Sequence, residues 1–255
     1  MPRERALLTA APTRWAIALL LICMTLTAPT WASTTAITTA TVAPSLLPNE
    51  LGGKAALTFK ISYSGGEFGV PSPLRRSTLR LPAGLSLDIP KLRICSAARL
   101  RAQGASGCPR QSQIGGGHAL VEAHAGSQTV SEHVGLRAFL GPLQELQPTL
   151  VILGQGYTPL DERVVLSGRV LPDRAPFGEA LTISIPPIPA LPFQSDASIV
   201  AFSLTIGAGG RFRTHDGSAV LLPSSCPPGG FPFDAEFTYA DGSSSSTYVT
   251  APCPG

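Results

Sequence analysis

After residue 50 the apolar residues of this chain recur with the period of a strand, and that leaves little room for helices. Leu57, Phe59, Ile61 and Tyr63 alternate with Thr58, Lys60 and Ser62, which puts the apolar side chains on one face of an extended segment. Leu79 and Leu81 repeat the pattern in Ser77–Leu81, which Pro82-Ala83-Gly84 ends, and Leu85–Ile94 repeats it again. Gln113–His124 and Gln128–Leu140 read as two strands about a Gly126-Ser127 turn. Thr149–Leu153 is apolar without a break, as in a central strand, and Arg163–Leu171, Ala180–Ile185 and Ile199–Ile206 follow. Asp216-Gly217 and Asp241-Gly242 mark tight turns, the second joining Phe231–Tyr239 to Ser246–Thr250 as a hairpin. Only residues 96–102 offer a helical turn or two. Many short strands between turn signals predict an all-β domain, an immunoglobulin-like or jelly-roll-type β-sandwich of about ten strands.

The Pro186–Pro192 segment carries four prolines. Proline has no backbone donor, so this stretch cannot lie inside a sheet. It reads as an extended crossover between sheets, with a linker between two domains as the alternative.

The first 32 residues have the form of a secretory signal. Arg3, Arg5 and Arg14 make a positive start, Trp15–Leu26 is an apolar run, and Thr30-Trp31-Ala32 offers small residues for cleavage after Ala32. The apolar run falls short of the roughly 20 residues that a spanning helix needs. Cys23 lies inside that run and is read as part of the discarded peptide. Residues 33–48, rich in Thr, Ala and Pro, are expected to be a flexible leader. Residues 49–255 are expected to form a single domain.

Cleavage leaves Cys95, Cys108, Cys226 and Cys253. Four cysteines in an exported chain imply a disulfide framework with three possible connectivities. Cys95–Cys108 with Cys226–Cys253 is favoured, because each pair brackets a segment that should fold back on itself. Zinc would need closer cysteine pairs than this spacing provides. Without residues 1–32 there are 16 basic and 15 acidic residues, which is no footprint for nucleic acid or an anionic membrane. No stable membrane insertion is expected after cleavage.

Two stretches carry a resemblance. One is Cys95 followed by Cys108-Pro109 and Ser112-Gln113-Ile114-Gly115-Gly116-Gly117; the other is Cys226-Pro227-Pro228-Gly229-Gly230-Phe231, a hairpin and Cys253-Pro254. They are similar to uncharacterised exported β-rich proteins of actinobacteria and related soil bacteria. The resemblance implies a secreted β domain with paired cysteines and brings no activity or site residues with it.

The histidines are the first place to look for chemistry. If Gly126-Ser127 is a two-residue turn, each residue faces the one whose number brings the sum to 253. His118, Leu120, Glu122 and His124 then share a face with Gly135, His133, Ser131 and Thr129, while Ala119, Val121, Ala123, Val130 and Val134 take the other. His118, Glu122 and His133 form a candidate surface cluster, since imidazole and carboxylate suit zinc, copper or nickel. His124 lies roughly 20 Å from His118, too far to share an ion with it. A solvated face explains the same pattern, and no metal or other cofactor is expected.

Other chemistry is thinly represented. There is no G-x-S-x-G turn for a nucleophile. Gly115-Gly116-Gly117 precedes a strand and not a helix, so it reads as a bulge or a close approach of two backbones. Glu122, Asp161, Glu162, Asp173, Asp196 and Glu236 are the acids that could pair across a cleft. No tryptophan remains after cleavage, and Tyr239 and Tyr248 are expected near one face of the last hairpin as core residues. The expected function is a secreted, non-enzymatic β domain with a structural, adhesive or ligand-binding role. Its partner would be a protein or glycan at the cell exterior. An exported hydrolase with a loop-assembled site is the alternative.

Overall fold

The computed structural model describes residues 37–66, 69–88, 93–125, 128–157, 162–190, 196–207 and 219–253. The signal sequence, the Gly126-Ser127 and Asp216-Gly217 turns, Asp161 and His215 lie outside them. In chain order the strands are β1 (Thr39–Leu47), β2 (Lys54–Ser64), β3 (Leu74–Pro82), β4 (Ser86–Asp88), β5 (Gln113–Ala125), β6 (Gln128–Gln144) and β7 (Gln147–Gln155). They continue as β8 (Arg163–Pro172), β9 (Phe177–Ser184), β10 (Ser198–Ile206), β11 (Ala219–Leu221), β12 (Phe231–Tyr239) and β13 (Ser244–Ala251). One helix, α1 (Ala97–Gln103), lies between β4 and β5. The all-β class read from the alternation is borne out.

The strands form one antiparallel sheet in the order β13-β12-β3-β9-β8-β7-β6-β5-β10-β2, with β1 on the far side of β2. β11 and β4 extend from the start of β2. The sheet curls until its two ends meet, and β1 lies against β13. Asn49, just after β1, donates from Nδ2 to the carbonyl of Pro252, just after β13, at 2.9 Å. Eleven strands in strict alternation make the first and last run in the same direction, so this seam joins parallel strands.

Two corrections follow. Residues 39–47, expected within a flexible leader, are β1, paired with β2 from Thr39↔Ser64 to Leu47↔Ala56. Polar Thr and Ser alternate there with Val42 and Leu46, which are buried. The alternation is short and rich in Thr, and it is easily read as linker composition. The strand total is thirteen among the described residues. Beyond the runs read from the sequence stand β1 and the three-residue β11, too short for any periodicity, while β4, also three residues, falls within the strand expected at Leu85–Ile94.

The inner face holds the core. Phe59 meets Phe233 edge-on at 5.7 Å between ring centroids, and Tyr63 meets Phe237 at 5.2 Å, so β2 and β12 pack face to face across the curl. Phe231, Phe233 and Phe237 are essentially inaccessible, and each such burial contributes roughly 1.5–3 kcal/mol. The unbroken apolar run of β7 has a separate cause. Its inner residues Leu150 and Ile152 join this core, while Val151 and Leu153 face a second cluster outside the sheet. Leu100 of α1, Phe139, Val165, Cys95 and Cys108 complete that cluster. Ser96 starts the helix, its side chain accepting from the Arg99 N–H at 3.3 Å. The disulfides are Cys95–Cys108 and Cys226–Cys253, with Cα separations of 5.5 and 6.0 Å.

The registers define two rims. At the upper rim β1, β3, β6, β8, β10 and β13 end; the strands between them end at the lower rim. The proline-rich stretch leaves β9 at the lower rim and leads to β10. Ile188 packs onto the core there and its carbonyl accepts from Ala197 N–H at 2.8 Å. Its described residues, 186–190, lie outside every ladder, as their prolines require.

Candidate functional site

The β5–β6 hairpin carries the sequence-predicted cluster, and its register is the expected one: His118 faces Gly135, Leu120 faces His133 and Glu122 faces Ser131. Ala119, Val121 and Ala123 are buried, while His118 and His133 are exposed on the outer face. Glu122 is half-buried and accepts from Ser131 Oγ at 3.1 Å. His118 and His133 are diagonal neighbours in this ladder. Among the described residues no group of three His, Cys, Asp or Glu side chains converges closely enough to hold a metal ion.

The glycines of β5 have the structural role their spacing suggested. The ladder with β6 slips between Gln113 and Gly115, a bulge. A Cβ on Gly115 would lie 2.2 Å from the Thr205 carbonyl oxygen, and one on Gly117 would lie 1.8 Å from that of Ser203. Only glycine lets β5 and β10 come this close.

The same register places a residue that the count of Val130 and Val134 passes over. Glu132 pairs with Val121 on the inner face and is only 3% exposed. Its Oε1 accepts the Tyr157 backbone N–H at 2.7 Å. A side chain on Gly156 would run into that oxygen, since its Cβ would sit 2.2 Å away. Glu132 therefore anchors the chain as it leaves β7. Beside it, at the lower rim, a cavity of about 50 Å³ is lined by Ala119, Val121, Val134, Leu166, Ile199 and Glu162. Parity alone identifies Glu132: it lies two residues from each of two inward valines. At the upper rim a second cavity, about 40 Å³, is lined by Leu57, Leu85, Ile114, Leu140, Val220 and Glu179. Burial raises the pKa of Glu179 above the ordinary glutamate value.

Of the other acids, Asp173 and Glu236 join Asp234 around Arg80 on the outer face, and Asp196 pairs with Arg75 at 2.7 Å. Arg80 Nε lies 3.2 Å from Asp173, and its Nη1 contacts Asp234 and, at 2.8 Å, Glu236. The hydrogen bond to Glu236 is the chief cause of its raised pKa. These acids meet a cation and do not face one another across a cleft.

The last hairpin brings a further correction. Tyr239 is buried on the inner face, but Tyr248 is 60% exposed on the outer one. Tyr248 faces Asp234, and the Tyr239 N–H bonds the Ser243 carbonyl at 3.0 Å. The turn has three residues, Ala240 to Gly242, and not two, and one extra residue reverses the face of everything beyond it. Tyr157, also exposed, stands at the lower rim.

No helix of the described residues is long and apolar enough to cross a membrane. Comparison with protein-family models, curated proteins and solved structures finds no match.

Proposed function

We propose that this is an exported, non-enzymatic domain that works by binding through its outer surface at the cell exterior. The observation that carries this reading is the continuous apolar core on the inner face of the described strands. Two cavities among the described residues, of about 50 and 40 Å³, are far smaller than the several hundred cubic ångströms of a ligand pocket. The disulfides suit an oxidising compartment and so support the signal-sequence reading. The resemblance to exported β-rich proteins of soil bacteria points the same way. Face-to-face packing of β2 and β12 supports an immunoglobulin-like or jelly-roll-type sandwich as the finer description of the curled sheet.

A second reading, an exported hydrolase, draws on Glu132 and Glu162, two carboxylates that line one cavity. The experiment that separates them expresses the chain in an exporting bacterium, sequences the N-terminus of the exported product and measures its retention by isolated cell envelopes. The binding reading expects a mature protein starting at Ser33, envelope retention, and no turnover of ester, glycoside or peptide panels. Hydrolysis lost in Glu132→Gln or Glu162→Gln would replace it with the hydrolase.

A further inference from the structure

Exposed apolar side chains gather at the upper rim. Leu47 (68% exposed) and Leu51 lie at and after the end of β1, Leu143 (61%) and Leu146 (89%) at the β6–β7 turn, and Leu171 near the end of β8. Ile94 joins them, because the next residue, Cys95, donates its N–H to the Leu140 carbonyl near the end of β6. Packing does not explain Leu146. It and Glu145 form a two-residue hairpin turn with φ of 65° and 51°, the left-handed region, where such turns favour Asn-Gly. The chain thus holds a leucine in a strained conformation, with its side chain almost entirely in solvent. Strain of this kind at an exposed tip points to use outside the fold.

The arrangement also says what kind of partner fits. β1 lies five strands from β7 along the closed sheet, so the two leucine groups stand on opposing walls of one rim. A partner touching both must be broad. Among the described residues, exposed Arg93, Arg110 and Arg174 lie at the same rim, opposed by exposed Glu50, while Glu145 is engaged by Arg169 at 3.1 Å and half-buried Asp173 by Arg80 at 3.2 Å. Among the exposed described side chains of this rim, arginines thus outnumber acids, which the near-even balance of basic and acidic residues in the sequence does not reveal.

We propose that the upper rim attaches the protein peripherally to an anionic phospholipid surface. The leucine tips enter the interfacial layer and the arginines meet the headgroup phosphates. The inference rests on the surface-binding reading above and names its partner.

The test is cosedimentation of the full chain with vesicles of phosphatidylcholine alone or mixed with phosphatidylglycerol. The unaltered protein is compared with Leu143→Ser/Leu146→Gly and with Arg174→Glu. Residues 1–32 contribute equally to all three, so differences report on the rim. Glycine suits position 146 better than leucine, so the double variant is expected to fold, and its melting curve verifies this. The expected result is preference for the anionic vesicles, with partitioning at least tenfold weaker in the double variant and weakened by added salt. Arg174→Glu should lose part of the anionic preference. Equal partitioning of the three proteins, indifference to phosphatidylglycerol, or retention by a purified cell-wall glycan with no vesicle binding would overturn the proposal. The N-terminus and location of the product are read separately. Accumulation of uncleaved chain in the cytoplasm would sink the exterior reading itself, whatever the vesicles do.

Discussion

Gly117 of β5 lies so close to Ser203 of β10 that a Cβ there would be 1.8 Å from the serine's carbonyl oxygen. Backbone cannot yield as a side-chain end can, so Gly117→Ala must part the two strands. The expected loss is about 1–3 kcal/mol, or roughly 2–4 °C in melting temperature for each kcal/mol. Gly229→Ala is the control, because a side chain at that position meets nothing within 4 Å, although its φ of 85° brings some strain. Thermal melts of both variants check this; equal effects would refute it.

The β6–β7 turn predicts an effect of opposite sign. Leu146→Gly relieves a left-handed leucine that buries little of its surface. The variant should be more stable by about 1 kcal/mol, measured by chemical denaturation at constant slope. A fall in stability would mean that Leu146 contributes packing that its exposure does not reveal.

Arg80 is the common partner of Asp173, Asp234 and Glu236, and its side chain is 27% exposed. Arg80→Met would leave three carboxylates facing one another. Partial burial places the cost between that of a surface ion pair and a buried one, about 1–2 kcal/mol. Adding salt should recover part of it by screening the repulsion. A loss unaffected by salt would assign the effect to packing of the arginine stem.

Glu179 gives the fold a pH dependence. Burial raises its pKa above the ordinary value of 4.5, so the folded state holds a proton that the unfolded chain has released. This contribution is fully present below the ordinary glutamate range and is lost as pH rises through the higher folded value. Glu179→Gln should therefore stabilise the protein at neutral pH, with the advantage vanishing in mild acid. Melting curves across that window decide; an advantage that persists unchanged in acid would rule out the titration.

Reduction of Cys226–Cys253 should loosen the hairpin that carries β13 to the seam. On the chain-entropy model the bond contributes roughly 3–4 kcal/mol. Hydrogen exchange of Ser244–Ala251 after Cys226→Ala/Cys253→Ala is expected to quicken more than that of β7. Uniform acceleration would indicate global destabilisation instead.

Much of this architecture is legible in the sequence because one face of nearly every strand is buried. Alternation then specifies both element and face, as in β2 and in the β5–β6 hairpin, where the sum of 253 gives the register. Reading stops where a single residue changes parity. A two-residue turn would place Tyr248 in the core, and the turn has three residues. β1 is harder, because its inward residues are small or widely spaced, and its identity as a strand depends on pairing with β2. The upper-rim leucines escape for a different reason. Leu47, Leu146 and Leu171 are far apart in the chain, and only the closed sheet brings their strand ends to one rim.

The parallel seam also sets an order in time. β1 and β13 are the first and last strands among the described residues, separated by nearly their whole length. A chain emerging N-terminus first can pair β1 with β2 early, yet it cannot close the sheet until Ala251 has appeared. Until then the inner face of β2, with Phe59 and Tyr63, lacks the phenylalanines of β12 that cover it. Closure by the most distant contacts predicts slow folding, with apolar surface exposed for as long as the tail is missing.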